Sequence, residues 1–161
     1  MMISPTYGKL SLEETVEKIN KFISEKPGSY KFIIGTDSQK VDGSIVFVTA
    51  LIVHRIGNGG IYFYDRKISK YKLSLAERIF TEASYSIKFA AELLKKIDEN
   101  IYPFYKSLSN LEIHIDVGKD GETRELINAV TGMVKGCGYK VKYKPESYAA
   151  TKVADRYTKH L

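Results

Sequence analysis

Two aspartates follow apolar runs in this chain, Asp37 after "KFIIGT" and Asp116 after "LEIHI". A strand that ends in a carboxylate presents an oxygen ligand from a rigid support. If right-handed crossovers set the second strand parallel to and beside the first, both carboxylates emerge at one end of a sheet. Two like charges held together are unfavourable without a cation between them, and oxygen-only ligands suit a hard divalent ion, Mg²⁺ or Mn²⁺. Either aspartate alone is equally well explained as a residue that ends a strand or caps a turn.

A long amphipathic segment offers two further acids, Glu77 and Glu82. Its apolar stripe centres near Ala83 and Ala90, so Glu82 falls on the border of the stripe and Glu77 on the solvent side. Glu77 also stands three residues after Ser74, the spacing of a capping box, which is a sufficient structural role. Glu82 is therefore the better ligand candidate, against the alternative of surface pairing with Arg78 or Lys88. Near the carboxy terminus Asp155 stands among Lys152, Arg156, Lys159 and His160, where ion pairing at helical spacing explains it as well as metal binding does.

The elements that must position these residues read as β-β-β-α-β-α-β-α. Ser11 and Glu14 open a leading helix over residues 11–24, which "PGS" stops. Strands follow over 30–37, over 44–56, buried on both faces, and over 61–68 after the "GNGG" hairpin signal. These three form an antiparallel meander. A helix over 74–98, a loop with Pro103, a strand over 111–118, a helix over 121–136, a strand over 139–144 and a helix over 147–161 complete the chain. The expectation is one α/β domain over 1–161, with a core over 30–161, a five-stranded mixed sheet flanked by helices, and an extra leading helix in residues 1–28.

Charge and composition narrow the partners. The chain has 161 residues and a net charge of +6, so a polyanion is a candidate partner. From Lys135 onward seven Lys and Arg face two acids, Glu146 and Asp155. Lys140, Lys142 and Lys144 alternate along one strand and so share a face, as a phosphate track or as a guard against edge pairing. The longest apolar stretch, Ile45 to Val53, is about half of a bilayer crossing, and the start lacks the order of an export signal. The expectation is a cytoplasmic protein without a membrane partner. The one cysteine, Cys137, excludes an internal disulfide and reads as a turn residue. His54 and His114 read as structural, and His160 as part of a frayed terminus or an aid to proton transfer. "GKDGE" lacks the residue order of a phosphate loop, and Asp120 there reads as a helix cap.

Acids in this element order resemble the ribonuclease H-like superfamily. More narrowly, "IIGTDSQ", "ERIFTEAS", "HIDVG" with "GETRELI", and "KPESYAATKVADRYTK" resemble the YkuK family of predicted ribonuclease H-like nucleases. The resemblance covers the chain from residue 30 on. It implies Asp37, Glu82, Asp116 and Asp155 as catalytic ligands of two divalent ions, with Glu146 as an alternative fourth ligand. It also implies Lys144, Lys152 and Arg156 as phosphate contacts. Gln39 stands where proofreading-type exonucleases carry a second acid, and Thr151 and Ala150 stand where they carry Tyr or His, so that exonuclease mechanism is disfavoured. The implied function is a metal-dependent nuclease acting on RNA, an RNA–DNA hybrid or structured DNA. Its rivals are a non-catalytic nucleic-acid-binding module and a phosphohydrolase of small nucleotides. Substrate sugar, strandedness and oligomeric state have no signature in the sequence.

Overall fold

The computed structural model of the chain describes residues 1–99, 108, 111–147, 152–154 and 157. Its first ten residues, which the expectation placed in the leading-helix segment without a strand, form a hairpin of β1 (Met2–Ser4) and β2 (Gly8–Leu10) that buries Met2 and Leu10. Strands of three residues are too short for an alternation pattern to be read, which is why the five-stranded expectation fell two strands short.

α1 (Leu12–Ser24) starts where the sequence places it, with the Ser11 hydroxyl accepting from the Glu14 amide at 3.0 Å and the Glu14 carboxylate accepting from the Ser11 amide at 2.7 Å. Both bonds satisfy amides that the first turn leaves without a helical partner. Arg55 ties this helix to the sheet: its guanidinium donates to the Phe22 carbonyl at 2.8 Å and to the Tyr30 hydroxyl at 3.0 Å, and lies over the Phe22 ring.

β3 (Tyr30–Val41) and β4 (Ser44–Arg55) pair antiparallel along their whole length around the turn Asp42–Gly43. Both turn residues have positive φ, 47° and 78°, as a tight hairpin requires. β5 (Gly60–Ser69) completes the meander. α2 (Leu75–Glu99) then crosses the sheet, and β6 (Leu111–His114) lies parallel to β3. After a short 3₁₀ turn, α3 (Ile127–Gly136) leads to β7 (Lys140–Lys142), parallel to β6. The sheet has seven strands in the order β2-β1-β5-β4-β3-β6-β7.

The main core lies between one sheet face and the helices. It contains Phe32, Ile34, Leu51, Val53 and Phe63 from the sheet and Val16, Ile19, Ile79, Ala90, Leu93 and Val134 from the helices. On the opposite face Val46, Val48, Ala50 and Tyr64 pack with Ala154, and the Tyr64 and Tyr157 rings stack at 3.9 Å. Residues 152–154 and 157 are helical, Ser147 lies in a turn instead of opening the expected final helix, and the rest of that helix lies outside the described residues, as does Pro103. Several boundaries differ from expectation: β6 ends at His114 instead of 118, β7 covers Lys140–Lys142 instead of 139–144, and α3 starts at Ile127 instead of 121, where Asp120 does not cap it, since Leu126 takes the N-cap position without a side-chain bond. Among the described residues no helix is long and apolar enough to cross a membrane.

Candidate active site

β3 does not stop at Asp37, as the sequence suggested, but runs on to Val41. What stops is its neighbour: β6 pairs with β3 only as far as Gly35↔His114. Continued by two residues, this parallel register brings Asp37 level with Asp116. The β6–β7 register, Glu112↔Lys140 to His114↔Lys142, likewise brings Asp116 level with Lys144. The backbone keeps the second alignment past the strand ends, because Ile115 donates to the Lys142 carbonyl at 2.9 Å and Lys144 to the Val117 carbonyl at 2.8 Å. The Lys144 ammonium accordingly meets the Asp116 carboxylate at 2.8 Å.

Side chains alternate along a strand, so Ser38 points to the face opposite Asp37, toward α2. There its hydroxyl donates to the Glu82 carboxylate at 2.5 Å. Arg78, one helical turn before Glu82, donates to the Ser38 hydroxyl at 3.0 Å and to its carbonyl at 2.7 Å. One turn beyond Glu82, the Ser86 and Thr36 hydroxyls bond at 2.8 Å, and Thr36 bonds Thr49 at 2.9 Å. Three consecutive turns of α2 are thus fixed to β3, and Glu82 is held in the middle turn.

Glu82 is only 6% exposed. Burial raises its pKa to about 8 against the Ser38 hydrogen bond, with further upward pushes from the charges of Asp37 and Asp116. The charges of both aspartates therefore reach Glu82. Thr36, Glu82, Ser86, His114 and Asp116 border one crevice between α2 and the end of β6, too narrow to admit a water. Among the described residues no three His, Cys, Asp or Glu side chains form a ready-made ion-binding group. The donors are nevertheless all oxygens, and one of them, Asp116, already holds a cation, Lys144. This chemistry fits a hard divalent ion.

The remaining candidates divide. Glu77 bonds Ser74 in a capping box, with its carboxylate accepting from the Ser74 amide at 2.6 Å. Glu146 is exposed and meets Lys142 at 3.6 Å. Lys152 is exposed. Asp155, Arg156 and His160 lie outside the described residues. His114 is buried, with Nε2 at 3.0 Å from the Glu112 carboxylate, which also takes Lys31 at 3.0 Å. Burial lowers the His114 pKa despite Glu112, so the ring is neutral at pH 7 and donates to Glu112. His54 is half buried and lines a basin with Lys31, Glu112 and His114. Sequence reasoning missed Ser38 and the Arg78 clamp. Their available signal was the helical spacing of Arg78, Glu82 and Ser86.

The family model described as "Ribonuclease H-like" matches residues 14–159. A protein of Bacillus subtilis (strain 168) described as "Uncharacterized protein YkuK" is 36% identical over 163 residues, which cover 94% of this chain and 92% of that protein. No solved structure is significantly similar.

Proposed function

From the premise that the chain belongs to the YkuK family of ribonuclease H-like proteins, we propose that it is a divalent-metal-dependent nuclease of RNA, an RNA–DNA hybrid or structured DNA. The observation that carries this reading is Glu82, a buried carboxyl whose pKa Asp37 and Asp116 push further up, beside an Asp116 that already binds a cation. A cluster that resists its own ionisation is one that a divalent cation stabilises.

Asp37, Glu82 and Asp116, with Asp155 as the fourth member, would hold two ions, Mg²⁺ or Mn²⁺. The chemistry such ions supply when bound is activation of a water and neutralisation of charge on the phosphoryl oxygens. The chain's own residues supply the positioning. Arg78 fixes Ser38, Ser38 fixes the Glu82 carboxylate, and the β3 register sets where the Asp37 backbone lies. With a divalent ion held at Asp116, the Lys144 ammonium, now paired with that carboxylate, would be available to a substrate phosphate. Lys152 and Arg156 would be further phosphate contacts, as the family resemblance implies.

The test is cleavage of a panel of single-stranded, duplex and hybrid substrates with Mg²⁺ or Mn²⁺. Wild type cleaves at least one member and Asp37→Asn none; activity surviving the substitution excludes the proposed centre. A second reading, a nucleic-acid-binding module without catalysis, draws on Lys144, whose ammonium already neutralises Asp116 as a structural counter-ion. It predicts salt-sensitive binding and no cleavage.

A further inference from the structure

The end of the sheet that carries Asp37 carries a second feature outside the carboxylate row. β5 leaves the sheet through "RKISKYK", residues 66–72, with four cationic side chains and no acid. Lys67 and Arg66 are engaged within the fold, Lys67 over the Tyr85 ring at 4.9 Å and Arg66 with the Tyr157 carbonyl at 3.0 Å. Lys70 and Lys72 are exposed. Between them Tyr71 is 79% exposed, and Ile68 nearby is 65% exposed. An aromatic ring so open on a connection whose backbone is ordered by the Tyr71 amide bonding the Ser69 hydroxyl at 3.3 Å contributes little to the core.

These residues border a groove. Lys40, Ile45, Tyr71, Lys72 and Leu73 line a depression of about 320 Å³ between the Asp42–Gly43 turn and the connection to α2. Asp42 is the one acid lining it. Lys40 stands three residues beyond Asp37 on β3, about 10 Å along the strand. The same connection leads into α2, which carries Arg78 and Glu82. The groove therefore shares β3 with Asp37 and adjoins the start of α2, the helix that carries Glu82.

We infer that this groove binds a single-stranded stretch of the nucleic-acid substrate, with a base stacked on Tyr71 and the backbone phosphates on Lys40, Lys70 and Lys72. The inference rests on the nuclease reading for its substrate and deepens it by naming strandedness. A positive groove with an exposed aromatic is the combination that holds single strands without sequence preference. A duplex has its base faces covered by neighbouring pairs along its length, so a free aromatic face selects an unpaired base. An acidic peptide would satisfy the lysines and leave Tyr71 without a function.

The experiment is fluorescence anisotropy with labelled oligo(dT), oligo(U) and their duplexes, with EDTA present so that cleavage does not intervene. Tyr71→Ala weakens single-strand binding about tenfold and Tyr71→Phe restores it. Lys70→Ala with Lys72→Ala lowers the salt slope for the single strands by about 1.4, the value for two lost phosphate contacts. The substituted side chains are exposed, so folding is preserved. Affinity unchanged by Tyr71→Ala, a salt slope unchanged by the lysine substitutions, or tighter binding of the duplexes overturns the inference. Tyr71-dependent binding in a protein that cleaves nothing would remove the nuclease reading and keep this one. Cleavage with Tyr71-independent binding would do the reverse.

Discussion

Glu77 and Glu82 share a helix, yet opposite surroundings give their carboxyls opposite acidities. Hydrogen bonds from Ser74 hold the exposed Glu77 below the usual range, whereas burial pushes Glu82 up to about 8. Between the ordinary value of 4.5 and about 8 the folded protein keeps a proton on Glu82 that the unfolded chain has released. Stability of the metal-free protein therefore falls as pH rises through that window. Glu82→Gln keeps an acceptor for Ser38 and removes the ionisation. We expect it to gain on the order of 3–5 kcal/mol over wild type by pH 9 and little at pH 5, in urea unfolding at both pH values with EDTA. An equal difference at the two pH values would mean that Glu82 titrates normally. The preference for Glu82 over Glu77 was legible because helical angle and capping spacing are local. The Ser38 bond was not, because it joins residues that only the packing of α2 on β3 brings together.

At the scale of elements, α2 has to start at a fixed residue for Arg78, Glu82 and Ser86 to face β3, and the Ser74–Glu77 box sets that start. Ser74→Ala should lower the melting temperature by about 2–4 °C. It should leave metal-dependent cleavage within about twofold in activity assays at 25 °C, because the β3 contacts of the next three turns remain. A large loss of activity without a loss of stability would assign the box a role in the site. Elements with long periodic patterns, α1, α2 and the meander, were legible with boundaries within a few residues. β1 and β2 were not, since a three-residue strand is specified by its partners. The end of β3 was misplaced for a related reason: "SQKV" after Asp37 is polar enough to read as a turn, and pairing with "SIVF" of β4 keeps it extended.

Across the whole molecule, right-handed crossovers predicted that the strands carrying Asp37 and Asp116 would be parallel neighbours, and β3 and β6 are. What no sequence pattern specified is that β7 continues the register and brings Lys144 to Asp116. Of the three alternating lysines, Lys144 therefore pairs with Asp116, whereas Lys142 meets Glu146. The central claim is that carboxylates remote in the chain share divalent ions. It is tested most directly by titration calorimetry of the metal-free protein with Mn²⁺ at pH 7 in buffers of different ionisation enthalpy. Binding to wild type should release about one proton per protein, the one Glu82 holds at that pH, and Asp37→Asn and Asp116→Asn should each weaken binding at least tenfold. Binding that releases no proton and is indifferent to both substitutions would contradict the account.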